Sequence, residues 1–271
     1  KDRLDMKSKI MKSLNKLCQQ KINWDIRFVE HHLSHAAMAY FTSTFENAAV
    51  LVVDAVGENA TTSLFKAIGG KIECIKQQSF PNSVGLLYSA FTYFLGFQVN
   101  SDEYKVMGLA PYGNLRAEQT QRFINIIKTK LVSIGDDGSI IINQKYFTFM
   151  VGLKMVDDRV WTKLFGIAKR DTNTPIKAEH KNLAAAIQCV TEEIFLKLVA
   201  HIKSLTQCHN LCISGGCALN CAAMGKIKAS GLFTNVFVPF APGDDGGAIG
   251  AALAFHALAS DTRLLSNVSP Y

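Results

Sequence analysis

Three histidines lie within one short segment, Glu30-His31-His32-Leu33-Ser34-His35. If the segment opens a helix, His31 and His35 are four apart and share one face. Two imidazoles on one face can chelate a divalent metal. His32 would then point elsewhere, to a phosphate or a backbone carbonyl. The plain alternative is a set of surface or capping histidines. Two neutral imidazoles still need an anionic third ligand to complete an octahedral or tetrahedral site. No neighbour in the sequence can supply it.

A source of that anion is Pro239-Phe-Ala-Pro-Gly-Asp244-Asp245-Gly246-Gly247-Ala-Ile-Gly250. Here a Pro/Gly loop carries two carboxylates and opens a helix of small residues. Free N–H groups at a helix start can hold a phosphate. A carboxylate beside that phosphate repels it unless a metal lies between them, which makes Asp244 a natural third metal ligand. The alternative is that Asp244 or Asp245 caps the helix. One Asp suffices for a cap, so the second is free for another task.

Three further segments carry polar groups at strand ends or turns. In Ile213-Ser214-Gly215-Gly216-Cys217-Ala218-Leu219-Asn220, paired glycines follow a strand. Backbone at Gly215 and Gly216 can approach a nucleotide closely, and Asn220 offers an amide to a phosphate or ribose. An ordinary tight turn has the same composition, and neither the dinucleotide fingerprint nor a P-loop is present. Val53-Asp54-Ala55-Val56-Gly57-Glu58 places a carboxylate at a strand end, a usual position for catalysis and also a common turn. In Asp102-Glu103-Tyr104-Lys105, Lys105 could meet a phosphate with Glu103 orienting it, or form a solvated ion pair of little consequence.

The elements that position these groups follow from hydrophobic periodicity. Residues 4–20 predict an amphipathic helix and residues 26–29 a short strand. An Ala-rich helix covers residues 32–41. The apolar run 48–54 predicts a buried strand. Residues 61–68 and 72–78 alternate about Gly69-Gly70, a hairpin. Helices are expected at 83–95, capped by Ser83, and at 117–132, with a strand at 139–142 after the turn 135–138. Residues 143–180 are mixed. A helix over 181–205 leads into strand 210–214, helix 218–229, strand 235–238 and helix 247–259. Alternating elements indicate α/β layers.

The chain has 271 residues, 48% hydrophobic and 19% charged, which excludes general disorder. No apolar run of ~18 residues predicts a transmembrane helix, and Lys1–Lys16 lacks the apolar core of a secretory signal. The 29 Lys and Arg against 22 Asp and Glu give a net charge of +7. The basic residues are scattered without interleaved aromatics, which favours anionic small molecules over nucleic acid. Seven cysteines without a secretory context predict free thiols and a cytoplasmic location. Cys208/Cys212 and Cys217/Cys221 depart from the two-residue spacing of zinc knuckles.

Taken together, HHLSHAA, VVDAVGE, EYKVMGLAPYG, SGGCALN and PGDDGGAIGAA resemble the O-carbamoyltransferases of nodulation-factor and antibiotic-tailoring pathways, in the family's order over residues 30–252. The same His pair and glycine motifs look like the tRNA threonylcarbamoyl-adenosine enzymes. The resemblance implies an α/β actin/sugar-kinase-like ATPase fold, with two RNase H-like lobes around a nucleotide cleft. The expected division is 1–175 as a first lobe with a helical insertion and 176–271 as a second.

For the chemistry, the resemblance implies that carbamoyl phosphate and ATP give a carbamoyl-adenylate, and that the carbamoyl group passes to an acceptor hydroxyl. His31, His35 and Asp244 carry over as ligands of a divalent metal, with Fe2+ expected. Gly215, Gly216 and Asn220 carry over as adenylate contacts, with Lys105 and Asp54 as weaker carry-overs. The acceptor hydroxyl needs a base, for which Asp54 is the candidate. Family members begin with a hairpin bearing a His-Asp-Ser motif and carry a downstream adenylate-forming domain. Neither is present here, so the expectation is a transferase domain lacking its first strands. The competing reading is a nucleotide-binding or ATP-hydrolysing member of the same fold, such as a threonylcarbamoyl-transfer relative. A nucleic-acid-processing RNase H-like module would need four clustered acids for two metals.

Overall fold

The computed structural model describes residues 5–21 and 23–260. Its core strand is β1, Asn47–Gly57. Every residue from Ala48 to Asp54 is buried, so both faces of this strand must be covered. Successive side chains alternate between the faces. Ala49, Leu51 and Val53 enter one hydrophobic cluster, while Ala48, Val50 and Val52 enter another.

The hairpin β2 (Ala60–Ile68) and β3 (Lys71–Ser79) pairs antiparallel, and β2 pairs antiparallel with β1. On its other side β1 pairs in parallel with the strand Asn210–Ser214, which pairs in parallel with Asn235–Phe237. The resulting five-stranded sheet has an antiparallel half and a parallel half. This is the strand order of one RNase H-like unit, and the α/β class read from the sequence holds. A separate two-stranded sheet is made by β4 (Val132–Ile134) and β5 (Ile140–Ile142). The strands 210–214 and 235–237 are β6 and β7.

Helix α1 spans Met6–Leu17 and α2 spans His31–Phe41. The layer over the even-numbered residues of β1 is built by α2 and by the last helix, Gly247–Ser260, whose Ala254 joins that cluster. The opposite layer holds α3 (Val84–Phe94) and the 29-residue helix Ala178–Thr206. Between them in sequence lie α4 (Glu103–Leu109), α5 (Glu118–Ile126) and α6 (Asp158–Phe165). The long helix is therefore α7, Cys221–Ala229 is α8, and the last helix is α9. Ser83 caps α3 as expected, its hydroxyl accepting from Leu86 N–H at 3.0 Å.

Three expectations are corrected. Residues 26–29 form no strand. The helix expected over 117–132 is α5 followed by a π-helical turn at Ile127–Leu131, after which the chain enters β4. Residues 103–109, for which no element was expected, are helical. The boundary at residue 175 does not separate two sheets. Strands from 47–79 and from 210–237 join through the β1–β6 pairing, so the residues on both sides of 175 build one sheet. Leu4, the expected start of α1, lies outside the described residues. Among these residues no helix is long and apolar enough to cross a membrane.

Candidate metal centre and cavity

Side-chain parity along β1 determines where Asp54 points. The even-numbered residues Ala48, Val50 and Val52 face the α2 layer, and Asp54 continues that series at the end of the strand. The first turn of α2 stands there, with His31 and His35 stacked one turn apart. The loop before α9 adds Asp244 through a short 3₁₀ turn, Asp244–Gly246. That turn is preceded by Gly243 and has no side-chain cap, so Asp244 faces the imidazoles instead.

Four atoms converge. His31 Nε2 lies 3.0 Å from Asp54 Oδ2, 3.2 Å from Asp244 Oδ1 and 3.0 Å from His35 Nε2. His35 Nε2 lies 3.4 Å from Asp54 Oδ2 and 3.3 Å from Asp244 Oδ1. Donors at ~2.1 Å from a first-row metal sit about 3.0–3.4 Å from their neighbours around a tetrahedron or octahedron. These spacings match. Two nitrogens and two carboxylate oxygens suit a borderline divalent cation. They form the group of this kind found among the described residues.

Burial is graded across the cluster. The His35 side chain is 1% exposed and Asp54 10%, whereas Asp244 is 78% exposed. The floor is closed and one side is open to an incoming group. Asp54 Oδ1 accepts N–H bonds from Ala55 at 2.8 Å and Gly216 at 3.2 Å. Burial by itself would raise the Asp54 carboxyl. Hydrogen bonds from His31, His35 and Ala55 outweigh it and hold the group well below the usual carboxylate range. The Asp54 hydrogen bond raises the His31 imidazole above its ordinary value, against the opposing effect of burial. Gly57 is required beneath this arrangement, since a Cβ there would lie 2.2 Å from the His31 ring.

A cavity of about 670 Å³ opens beside the cluster and includes Asp54 and Asp244 in its wall. Its size is that of a small-molecule site. Gly216 and Asn220 line it, and Gly215 does not. Gly215, at φ +89°, instead ties β6 to the loop that carries Asp244: its N–H donates to the Pro242 carbonyl at 2.8 Å. Asn220 caps α8 and exchanges two 3.0 Å amide hydrogen bonds with Gln188. Gln188 also accepts from Tyr88 Oη and donates to Glu192. Asn220 thus enters the wall already engaged. Tyr88, Gln188 and Glu192 were missed in the sequence. The only signal in the sequence was Gln188, a polar residue in the otherwise apolar run 183–190 of α7.

Lys105 is not in the cavity wall. Its ammonium pairs with Asp102 at 2.8 Å, the solvated alternative, and Glu103 does not orient it. Glu103 lines the cavity and accepts from Ser89 Oγ at 2.8 Å and Asn100 N–H at 3.0 Å. The cysteines are free thiols. Cys217 reaches the cavity wall, where burial pushes its thiol up.

Residues 3–253 match the family model described as Carbamoyltransferase N-terminus. The chain is 42% identical over 267 residues to a protein of Synechocystis sp., Uncharacterized protein sll1178, covering 97% of this chain and 42% of that one. Nodulation protein NolNO of Sinorhizobium fredii is 36% identical over 84% of this chain and 31% of its own length. Nodulation protein NolO of Bradyrhizobium diazoefficiens is 33% identical over 83% of this chain and 38% of its own. The crystal structure of HypF from T. kodakarensis aligns with 94% of this chain and 39% of that one, at 14% identity and a TM-score of 0.43, too low to bear on the fold. The chain therefore spans less than half the length of these curated relatives. With most of its length matched by the family model, the chain belongs to the carbamoyltransferase family.

Proposed function

We propose that this chain is the transfer domain of an O-carbamoyltransferase. A carbamoyl group, supplied as carbamoyl-adenylate made from carbamoyl phosphate and ATP, would pass to an acceptor hydroxyl in the cavity. The acceptor oxygen attacks the carbamoyl carbon. The bond from that carbon to the phosphate oxygen breaks, AMP leaves with the electron pair, and the acceptor proton passes to a base. The observation that carries this reading is the convergence of His31, His35, Asp54 and Asp244 in the wall of a small-molecule cavity, in a chain of this family.

His31, His35, Asp54 and Asp244 would hold the divalent cation, for which the resemblance favours Fe2+. When bound, the cation supplies Lewis-acid stabilisation for negative charge on a carbamoyl or phosphate oxygen. Asp54 is better assigned to this ligand set than to the base. One of its oxygens takes two backbone N–H groups, the other faces both imidazoles, and its affinity for a proton is low. His35 and Asp54 form the buried side that orients, and Asp244 forms the open side that admits substrate. Gly216 and Asn220 would shape the wall for the adenylate. The acidic cavity wall, which contains Glu103 and Asp245 as well, gives an anionic substrate no lysine or arginine to meet. Phosphate would therefore be received through the cation and backbone N–H groups.

The test is nucleotide turnover by the intact polypeptide, with and without carbamoyl phosphate and a hydroxyl acceptor. AMP release that requires carbamoyl phosphate is expected. ATP hydrolysis indifferent to carbamoyl phosphate would instead support the nucleotide-hydrolysing alternative.

A further inference from the structure

His32 is the histidine of the trio that the cluster does not use. It is 3% exposed and faces β2, where its Nδ1 lies 2.7 Å from Ser63 Oγ. Gln77 on β3 donates to the same hydroxyl at 3.1 Å. The other nitrogen, His32 Nε2, is buried with no hydrogen-bond partner among the described residues. So is Nδ1 of His35. Two orphaned nitrogens on neighbouring rings of one helix are unusual, because buried polar atoms are nearly always satisfied.

The ring spacing bears on how both could be satisfied. His31 and His35 have centroids 4.7 Å apart and nitrogens in direct contact at 3.0 Å. The centroids of His32 and His35 are 6.4 Å apart, with the rings inclined at 77°. Neither nitrogen hydrogen-bonds the other ring, and rings at this separation are close enough for a link through one ordered water.

We propose that His32 is a positioning residue for His35, joined to it by a buried water between His32 Nε2 and His35 Nδ1. The inference rests on reading the four-residue cluster as a metal site. A histidine that offers Nε2 to a cation keeps its proton on Nδ1, and that N–H needs an acceptor. The water accepts it and donates onward to the lone pair of His32 Nε2. His32 then carries its own proton on Nδ1 and donates to Ser63 Oγ. The hydroxyl has two acceptor sites, so it also receives the Gln77 N–H. The chain Gln77–Ser63–His32–water thus fixes the tautomer and the ring angle of His35 from the sheet side.

The experiment is a Zn2+ titration of the intact polypeptide against a competing chelator, with nitrogen-15 NMR of the histidine rings on the Zn2+-loaded protein. His32→Phe should weaken Zn2+ binding by about 10–100-fold, the usual cost of losing an outer partner of a ligating histidine. His32→Gln, which keeps a polar atom near the Nε2 position, should restore most of that loss. Ser63→Ala should weaken binding less than His32→Phe. The spectra should show both His32 and His35 protonated at Nδ1. Unchanged affinity in His32→Phe, or a His32 proton on Nε2, overturns the positioning role while leaving the metal site intact. No Zn2+ binding by the parent protein overturns both. If His32→Phe does not fold, Ser63→Ala and the parent protein's ring spectra decide the matter.

Discussion

The two carboxylates of the cluster are supplied by different parts of the molecule. Asp54 sits at the end of the central strand, its side chain 10% exposed, with one oxygen held by the N–H groups of Ala55 and Gly216. Asp244 sits on a loop turn, its side chain 78% exposed, and meets the cluster through the two imidazoles. The strand thus presets half the geometry before any ligand arrives. The loop contributes charge and a solvent-exposed edge. A site built this way pairs a rigid, water-excluding floor with an accessible side, which suits a reaction in which a small group must enter and leave.

That contrast can be broken from the floor. His35→Ala or Asp54→Asn should abolish stoichiometric Fe2+ or Zn2+ binding and, with it, carbamoyl transfer. Metal analysis after desalting checks this, and full transfer by metal-free His35→Ala would sink the assignment. The loss should exceed the ~10–100-fold cost of removing an outer partner, because a direct ligand is gone.

A subtler attack changes no ligand. Gly57→Ala drives a methyl into the His31 ring, 2.2 Å from its nearest atom. The ring must swing away, and metal affinity should fall by about 10–100-fold, comparable to the loss of an orienting partner. Circular dichroism should show the fold retained. Wild-type affinity in Gly57→Ala would mean that the His31 ring position is not what the cation uses.

On the loop side, Asp244→Ala should cost less than Asp54→Asn. The three remaining donors still converge, and an exposed carboxylate is replaceable by water. Competition titration of the two variants side by side checks the order. Equal losses would show that loop and strand contribute alike. The smallest effect is expected from Lys105→Met. The Lys105–Asp102 pair is solvent-exposed, and such pairs contribute about 0–1 kcal/mol. Neither metal affinity nor the Michaelis constant for ATP should change. A large rise in that constant would bring Lys105 back as a phosphate contact.

Much of this was legible in the chain because the relevant rules are local. The four-residue interval of His31 and His35, the Gly69-Gly70 hairpin and the Ser83 cap all depend on neighbours. The proximity of Asp54 to the histidines was legible in principle too. The alternation of β1 assigns even-numbered residues to one face, and Asp54 continues them. The sequence alone does not state which layer α2 occupies, so it leaves Asp54 apart from the histidines, as a candidate base.

What the sequence withheld is long-range. The β1–β6 pairing joins Ala49 to Leu211. No periodicity announces that contact, so the expected boundary at residue 175 cut through one sheet. The pairing of Lys105 with Asp102 rather than a ligand depends on α4 turning that side chain away from the cavity. The roles of Gln188 and Tyr88 depend on α7 crossing α3, as their 2.9 Å hydrogen bond records. Residues 26–29 carry an apolar alternation but pair with no strand.

The central claim is that one divalent cation binds where His31, His35, Asp54 and Asp244 meet. The most direct measurement is anomalous diffraction at the iron edge, on crystals of the intact polypeptide grown with Fe2+ under anaerobic conditions. The account predicts a single strong peak within bonding distance of both Nε2 atoms and of an oxygen from each carboxylate. A metal bound elsewhere, with these four side chains in contact only with one another, would contradict it.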